Sequence, residues 1–213
     1  MKDYRYLLIL LLVLYILLDT FRTSDSYECA VDEYDLVDAF IDSGLGAEHI
    51  DRGRLDIENR IIVTTYCVNS KFSQNIVSQL LILNRLSKNE SIDLYIRTEG
   101  GWEADAFAVI DTMRSIDAPV NIHAIGEVHS AGIMILASGT GNRVVYPNTI
   151  LGFHTLGEDE DDLFGERYLS FWENYAKLPD SWLSRKDDEM LYFTAKEAIE
   201  YGIADVLFPE KND

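Results

Sequence analysis

Three short segments of this 213-residue chain carry residue types that could perform acyl transfer together. Ser130 stands between an apolar β-branched segment, Val120 to Ile125, and an apolar run, Ala131 to Ala137. A serine at such a strand-to-helix junction meets the free N–H groups of the helix start, and the N–H of Ala131 lies beside any carbon the hydroxyl attacks. A hydroxyl is a weak nucleophile at neutral pH, so it needs a base and donors for the oxyanion that forms. His154, after the segment Thr149 to Phe153, supplies an imidazole, the side chain that ordinarily titrates near neutrality. Gly100-Gly101 closes another apolar segment, and a backbone without β-carbons can bring its N–H groups close to a substrate. Each residue alone has a plainer use: a serine before a helix is ordinarily an N-cap, and a glycine pair a turn. It is their joint order that points to chemistry. No Gly-x-Ser-x-Gly elbow is present, because Val128 takes the first glycine's place.

The elements that must position these residues follow from periodicity. Ile61 to Thr65 is a β-branched run suited to a buried strand, and Gln74 to Leu86 spaces Ile76, Val77, Leu80, Leu81 and Leu83 as a helix does. A strand over Ile92 to Arg97, a helix from Ala104 to Ser115, a strand over Val120 to Ile125, a helix from Ser130 to Ala137 and a strand at Arg143 to Val145 follow. This alternation predicts an α/β architecture with strands buried on both faces. An aromatic-rich helical stretch, Tyr168 to Ala176, comes next, and Thr194 to Gly202 reads as a capped helix ending on glycine.

The flanking composition bounds the function. A formal charge of −19 excludes nucleic acid as a partner, since a phosphate backbone would be repelled. Tyr6 to Leu18 is an uncharged run preceded by Lys2 and Arg5 and closed by Asp19. It is shorter than the ~20 residues of a full membrane span and fits a signal sequence or anchor, a short hydrophobic helix with the body outside the cytoplasm. No small-residue cleavage site follows, which favours an uncleaved anchor. The expected organisation is therefore 1–21 as signal anchor or signal peptide, 22–59 as an acidic linker with a short helix around Tyr34 to Ile41, and 60–213 as the catalytic domain. Cys29 and Cys67 are compatible either with one disulfide or with two thiols. His49, His123 and His129 form no metal-ligand spacing, and no metal or cofactor is assigned. Glu158 to Asp162, all carboxylates, reads as a solvated loop.

The segment Ile92 to Gly101 (Ile-Asp-Leu-Tyr-Ile-Arg-Thr-Glu-Gly-Gly) resembles the stretch of the Clp protease proteolytic subunit that ends in Ser-Pro-Gly-Gly. Gly126 to Gly132 is similar to that family's nucleophile turn, Pro147 to His154 to the Pro-Asn-Ser segment before its histidine, and Ala195 to Asp205 to its C-terminal Ala-x-Glu-Ala-x-x-Tyr-Gly-Leu-x-Asp. The resemblance runs from about Arg60 to Phe208 and implies the crotonase-like β/α spiral. It implies Ser130 as nucleophile, His154 as general base, and the N–H groups of Gly101 and Ala131 as the oxyanion hole.

Departures from the family pattern accompany it. Met190 occupies the place of the family's catalytic aspartate, with Asp187, Asp188 and Glu189 nearby as substitutes. Glu99 replaces a proline beside the oxyanion glycines. The stretch after His154 is shorter than the family's handle, which argues against a double ring while allowing a homo-oligomer. The expected activity is that of an ATP-independent serine peptidase acting on peptides or unfolded proteins outside the cytoplasm. The competing expectations are a binding or assembly module with a decayed site, a signal-peptide-peptidase-like enzyme, whose base would be lysine, and an acyl-CoA enzyme.

Overall fold

The computed structural model describes residues 58–65, 67–155, 163–185, 187 and 189–209, together with the backbone of two short strands, β1 (Phe40–Ile41) and β2 (Glu48–His49), which pair antiparallel. The helix expected around Tyr34 to Ile41 thus ends in strand at its last two residues; the rest of it lies outside the described residues, as do the apolar run Tyr6 to Leu18 and Cys29. Among the described residues no helix is long and apolar enough to cross a membrane.

Among the described residues the main sheet has seven strands, β3 (Ile61–Thr64), β4 (Ile92–Thr98), β5 (Val120–His129), β6 (Arg143–Val145), β7 (Ile150–Phe153), β8 (Leu191–Thr194) and β9 (Val206–Leu207). All pairs are parallel except β7 with β8. This is the α/β architecture with a mostly parallel sheet that the alternating pattern predicts. Parallel neighbours need crossovers, and α1 (Ser70–Leu86), α2 (Glu103–Ser115) and α3 (Ala131–Ala137) provide them. Along α1 the buried Phe72, Ile76, Leu80 and Leu83 form one stripe. Each such side chain contributes about 1.5–3 kcal/mol on full burial. The helix begins at Ser70, before the expected Gln74, because the Asn69 side chain accepts the N–H of Phe72 at 3.0 Å and so caps the first turn.

The feature that matters for the site is the length of β5. Its first half pairs with β6 through Ile122 to Ala124, and its second half pairs with β7 through Glu127 to His129. On that edge the strand changes neighbours partway along, while on the other edge β4 stays paired through a register shift between Ile96 and Thr98. The sequence places the end of this strand at Ile125; the structure carries it four residues further, to His129, because the outer half finds β7 to pair with. Beyond the spiral, α4 (Leu163–Tyr175) and a short α5 (Asp180–Leu183) lead to β8, and α6 (Ala195–Glu200) opens on a capping box between Thr194 and Glu197.

Candidate active site

Register brings the pieces together. In the β5–β7 pair His129 lies opposite Gly152, so the two strands end side by side and release Ser130 and His154 at the same edge. In the β4–β5 pair Thr98 lies opposite Val128, which carries Gly100 to Ser130 on the other flank. Ser130 Oγ and His154 Nε2 are 2.7 Å apart. Ser130 precedes α3 as an N-cap residue would, yet its side chain makes no capping hydrogen bond. Its hydroxyl faces the imidazole instead, and the capping role is therefore not what the residue does here.

Its backbone is unusual as well, with φ 51° and ψ −123°, a region that side chains other than glycine rarely enter. The turn is fixed by the Ser130 N–H donating to the Gly152 carbonyl at 2.8 Å and the Ile133 N–H donating to the Ser130 carbonyl at 3.0 Å. It also depends on its neighbour: a β-carbon on Gly100 would stand 2.6 Å from the Ser130 Cβ.

Gly100 and Gly101 hold φ values of 102° and 144°. Val68 bridges Gly101 in parallel, its N–H donating to the Gly100 carbonyl at 2.7 Å and its carbonyl accepting from Trp102 N–H at 2.8 Å. That register turns the N–H of Gly101 to the opposite side of the strand from Val68. The Ala131 N–H, first in α3, has no intrahelical acceptor by the geometry of a helix start. The N–H of Gly100 is taken by the Thr98 hydroxyl at 3.0 Å. Cys67 is disulfide-bonded, and its Sγ lies 3.2 Å from the Gly100 carbonyl oxygen.

The imidazole is held from its far side. His154 Nδ1 lies 2.7 Å from the backbone carbonyl oxygen of Thr155, and the Tyr168 hydroxyl donates to the His154 carbonyl at 2.6 Å. A carbonyl oxygen only accepts, so Nδ1 carries the hydrogen and Nε2 presents its lone pair to Ser130. Behind this segment Phe153 is buried against Tyr168, Trp172 and Trp182, an aromatic layer contributed by α4 and α5.

Among the described residues, neither substitute for the missing carboxylate is bonded to the ring. Asp187 is ion-paired with Arg185, which holds its carboxyl below the usual range, and Glu189 is paired with the same guanidinium at 3.2 Å. Asp188 lies outside the described residues. Met190 Sδ packs on the Cα side of Gly152 beside the His129 ring. Glu99 is exposed, and its charge acts on His129. His129 itself is 8% exposed, with Nε2 unpartnered, and burial pushes its titration below the ordinary value. His123, away from this edge, meets Asp93 at 3.2 Å and stacks on Tyr95. Among the described residues no three His, Cys, Asp or Glu side chains converge as metal ligands would.

Sequence reasoning missed Tyr168 and Thr155. Tyr168 was visible only as one aromatic residue of a helical stretch, and the group Thr155 offers is a backbone carbonyl, which leaves no trace in residue type.

Comparison with known proteins identifies the family. A sequence profile of the Clp protease family matches residues 47–155, which span Gly100 through Thr155 and stop before Met190. The chain is 26% identical over 171 residues to the ATP-dependent Clp protease proteolytic subunit of Deinococcus radiodurans, covering 74% of this chain and 84% of that protein. It is 33% identical over 162 residues to a Clp protease proteolytic subunit-like protein of Synechococcus elongatus, covering 65% and 71%. The crystal structure of the ClpP protease catalytic domain from Plasmodium falciparum superposes with a TM-score of 0.65 at 26% identity, covering 75% of this chain and 91% of that one. With the fold, the residue order and these relatives in agreement, the chain belongs to the Clp protease family of serine-type hydrolases.

Proposed function

We propose that this chain is a serine peptidase that cleaves peptides or already unfolded proteins without an ATP-driven unfoldase, from a body tethered outside the cytoplasm. The observation that carries the catalytic reading is the 2.7 Å contact of Ser130 Oγ with an Nε2 whose tautomer leaves it free to accept. In the reaction, Ser130 gives its proton to Nε2 as its oxygen bonds to the peptide carbonyl carbon, and the carbonyl π pair moves onto oxygen. The N–H groups of Gly101 and Ala131 receive that oxyanion. The intermediate collapses, the C–N bond breaks, and the amine leaves with the proton from Nε2. Water then repeats the sequence on the acyl-enzyme. Tethering is supported by Tyr6 to Leu18 with Lys2 and Arg5 before it, and an oxidising compartment by the disulfide at Cys67. A peptidase in such a compartment works without ATP.

The test is covalent. A fluorophosphonate probe should label the full chain at about pH 8, fail to label Ser130→Ala, and label His154→Ala slower by about 10²-fold or more. Undiminished labelling of Ser130→Ala would remove the nucleophile assignment, and an unlabelled wild type would favour the binding module. For topology, an alkaline phosphatase fusion after Phe21 should be active in a bacterial host, and an inactive one would contradict the placement.

A further inference from the structure

A Ser-His pair without a third group loses the orientation of its imidazole, yet His154 is oriented here with Met190 in the aspartate's place. We infer that the third member of this site is a backbone carbonyl, that of Thr155, and that Thr155 and Tyr168 are the positioning residues that hold it. The inference rests on the peptidase reading above and adds to it how the base is kept in its working tautomer.

The contact is direct: Nδ1 to the Thr155 oxygen is 2.7 Å. A carbonyl one residue along the same chain would rotate freely unless its peptide were tied down. Thr155 is tied down, being 0% exposed, with its hydroxyl donating to the backbone carbonyl of Asp187 at 2.7 Å. The preceding peptide is fixed too, by the Tyr168 hydroxyl on the His154 carbonyl at 2.6 Å, and Tyr168 is itself packed against Phe153 and Trp172. The described carboxylates of this loop are engaged elsewhere, Asp187 and Glu189 both on Arg185. Asp187 thus serves through its backbone while its side chain faces another partner.

The chemical consequence is specific. A carbonyl fixes the tautomer as a carboxylate does, but it offers the imidazolium formed during proton transfer a dipole instead of a full charge. The base is correctly aimed and weakly supported. Carrying the β7–β8 register one pair past Phe153 and Leu191 sets residue 190 opposite His154. A carboxylate placed there should therefore supply what the carbonyl does not.

The experiment reads the tautomer and the rate separately on the full chain. Imidazole nitrogen shifts of ¹⁵N-labelled protein, with His154 assigned by His154→Ala, should show the Nδ1–H form. Thr155→Val and Tyr168→Phe should shift the population toward Nε2–H and slow fluorophosphonate labelling by about tenfold to a hundredfold, while Thr155→Ser recovers both. Tyr168→Phe keeps the buried ring and serves as the readout if Thr155→Val does not fold. Met190→Asp should raise the labelling rate and move the acidic limb of its pH profile upward; Glu189→Gln should change neither readout. An Nε2–H form in the wild type would overturn the assignment. So would a loss on Asp187→Asn or Glu189→Gln as large as that on His154→Ala, because a carboxylate would then be the third member. A wild type in the Nδ1–H form that is never labelled overturns the peptidase reading and leaves the carbonyl assignment intact.

Discussion

Ser130 holds its hydroxyl toward His154 at a conformational cost. A residue with a β-carbon at φ 51° and ψ −123° pays about 1–3 kcal/mol relative to a relaxed backbone, offset by the two hydrogen bonds that pin the turn and by the room Gly100 leaves. Glycine does not pay it. Ser130→Gly should therefore be more stable than Ser130→Ala by about 1 kcal/mol, although both lack the hydroxyl and neither should be labelled. Urea midpoints of the two variants measure this, and a Ser130→Ala midpoint at or above that of Ser130→Gly would mean the strain is no larger than the entropy glycine costs in the unfolded chain. The sequence marked Ser130 through its place between a strand and an apolar helix, but not the positive φ. With Val128 where an elbow glycine would stand, no residue type announced the bend.

Elements with a strong period were legible in advance, and those defined by a neighbour were not. β4 and α2 lie close to where periodicity sets them, since β4 alternates buried and half-buried positions and α2 buries Ala106, Val109, Ile110 and Met113 on one face. β8 gave no such signal: only Phe193 of its four residues is buried, and it is a strand because β7 offers an antiparallel partner. The link between β6 and the C-terminal turn was equally hidden, because it runs through one arginine. Arg143 bonds both carboxylate oxygens of Asp205 and also the carbonyls of Ala137 and Gly202, at 3.1 and 2.8 Å. It thereby joins the end of α3, β6 and the segment before β9. Arg143→Met should destabilise the domain by about 2–3 kcal/mol, since two carbonyls and a carboxylate lose a partner. Arg143→Lys should recover only part of that, because an ammonium cannot reproduce the fork. Denaturant midpoints at unchanged slope check both.

At the scale of the whole molecule, stability should respond to pH through one buried histidine against a background of many acids. His129 titrates below its ordinary value of 6.5 because burial disfavours the charged ring; Glu127 and Glu99 partly counter this and Arg97 adds to it, while the Met190 thioether lies beside the ring and Tyr192 packs edge-on against it. Between the lowered value and 6.5 the unfolded chain binds a proton that the folded chain refuses, so stability rises with pH across that window and falls on acidification. The slope cannot exceed about 1.4 kcal/mol per pH unit for one proton. A formal charge of −19 works the other way, since protonating carboxylates relieves self-repulsion. Subtraction separates the two effects: His129→Leu keeps the carboxylates and removes the ring. The stability of His129→Leu relative to wild type should therefore increase steadily as pH is lowered from about 7 through the His129 window, whatever the shared background does. Unfolding midpoints for both proteins at matched ionic strength supply the difference curve. A difference independent of pH would mean that His129 takes up its proton equally in the folded and unfolded chain, and that its unpartnered Nε2 is not shielded from water.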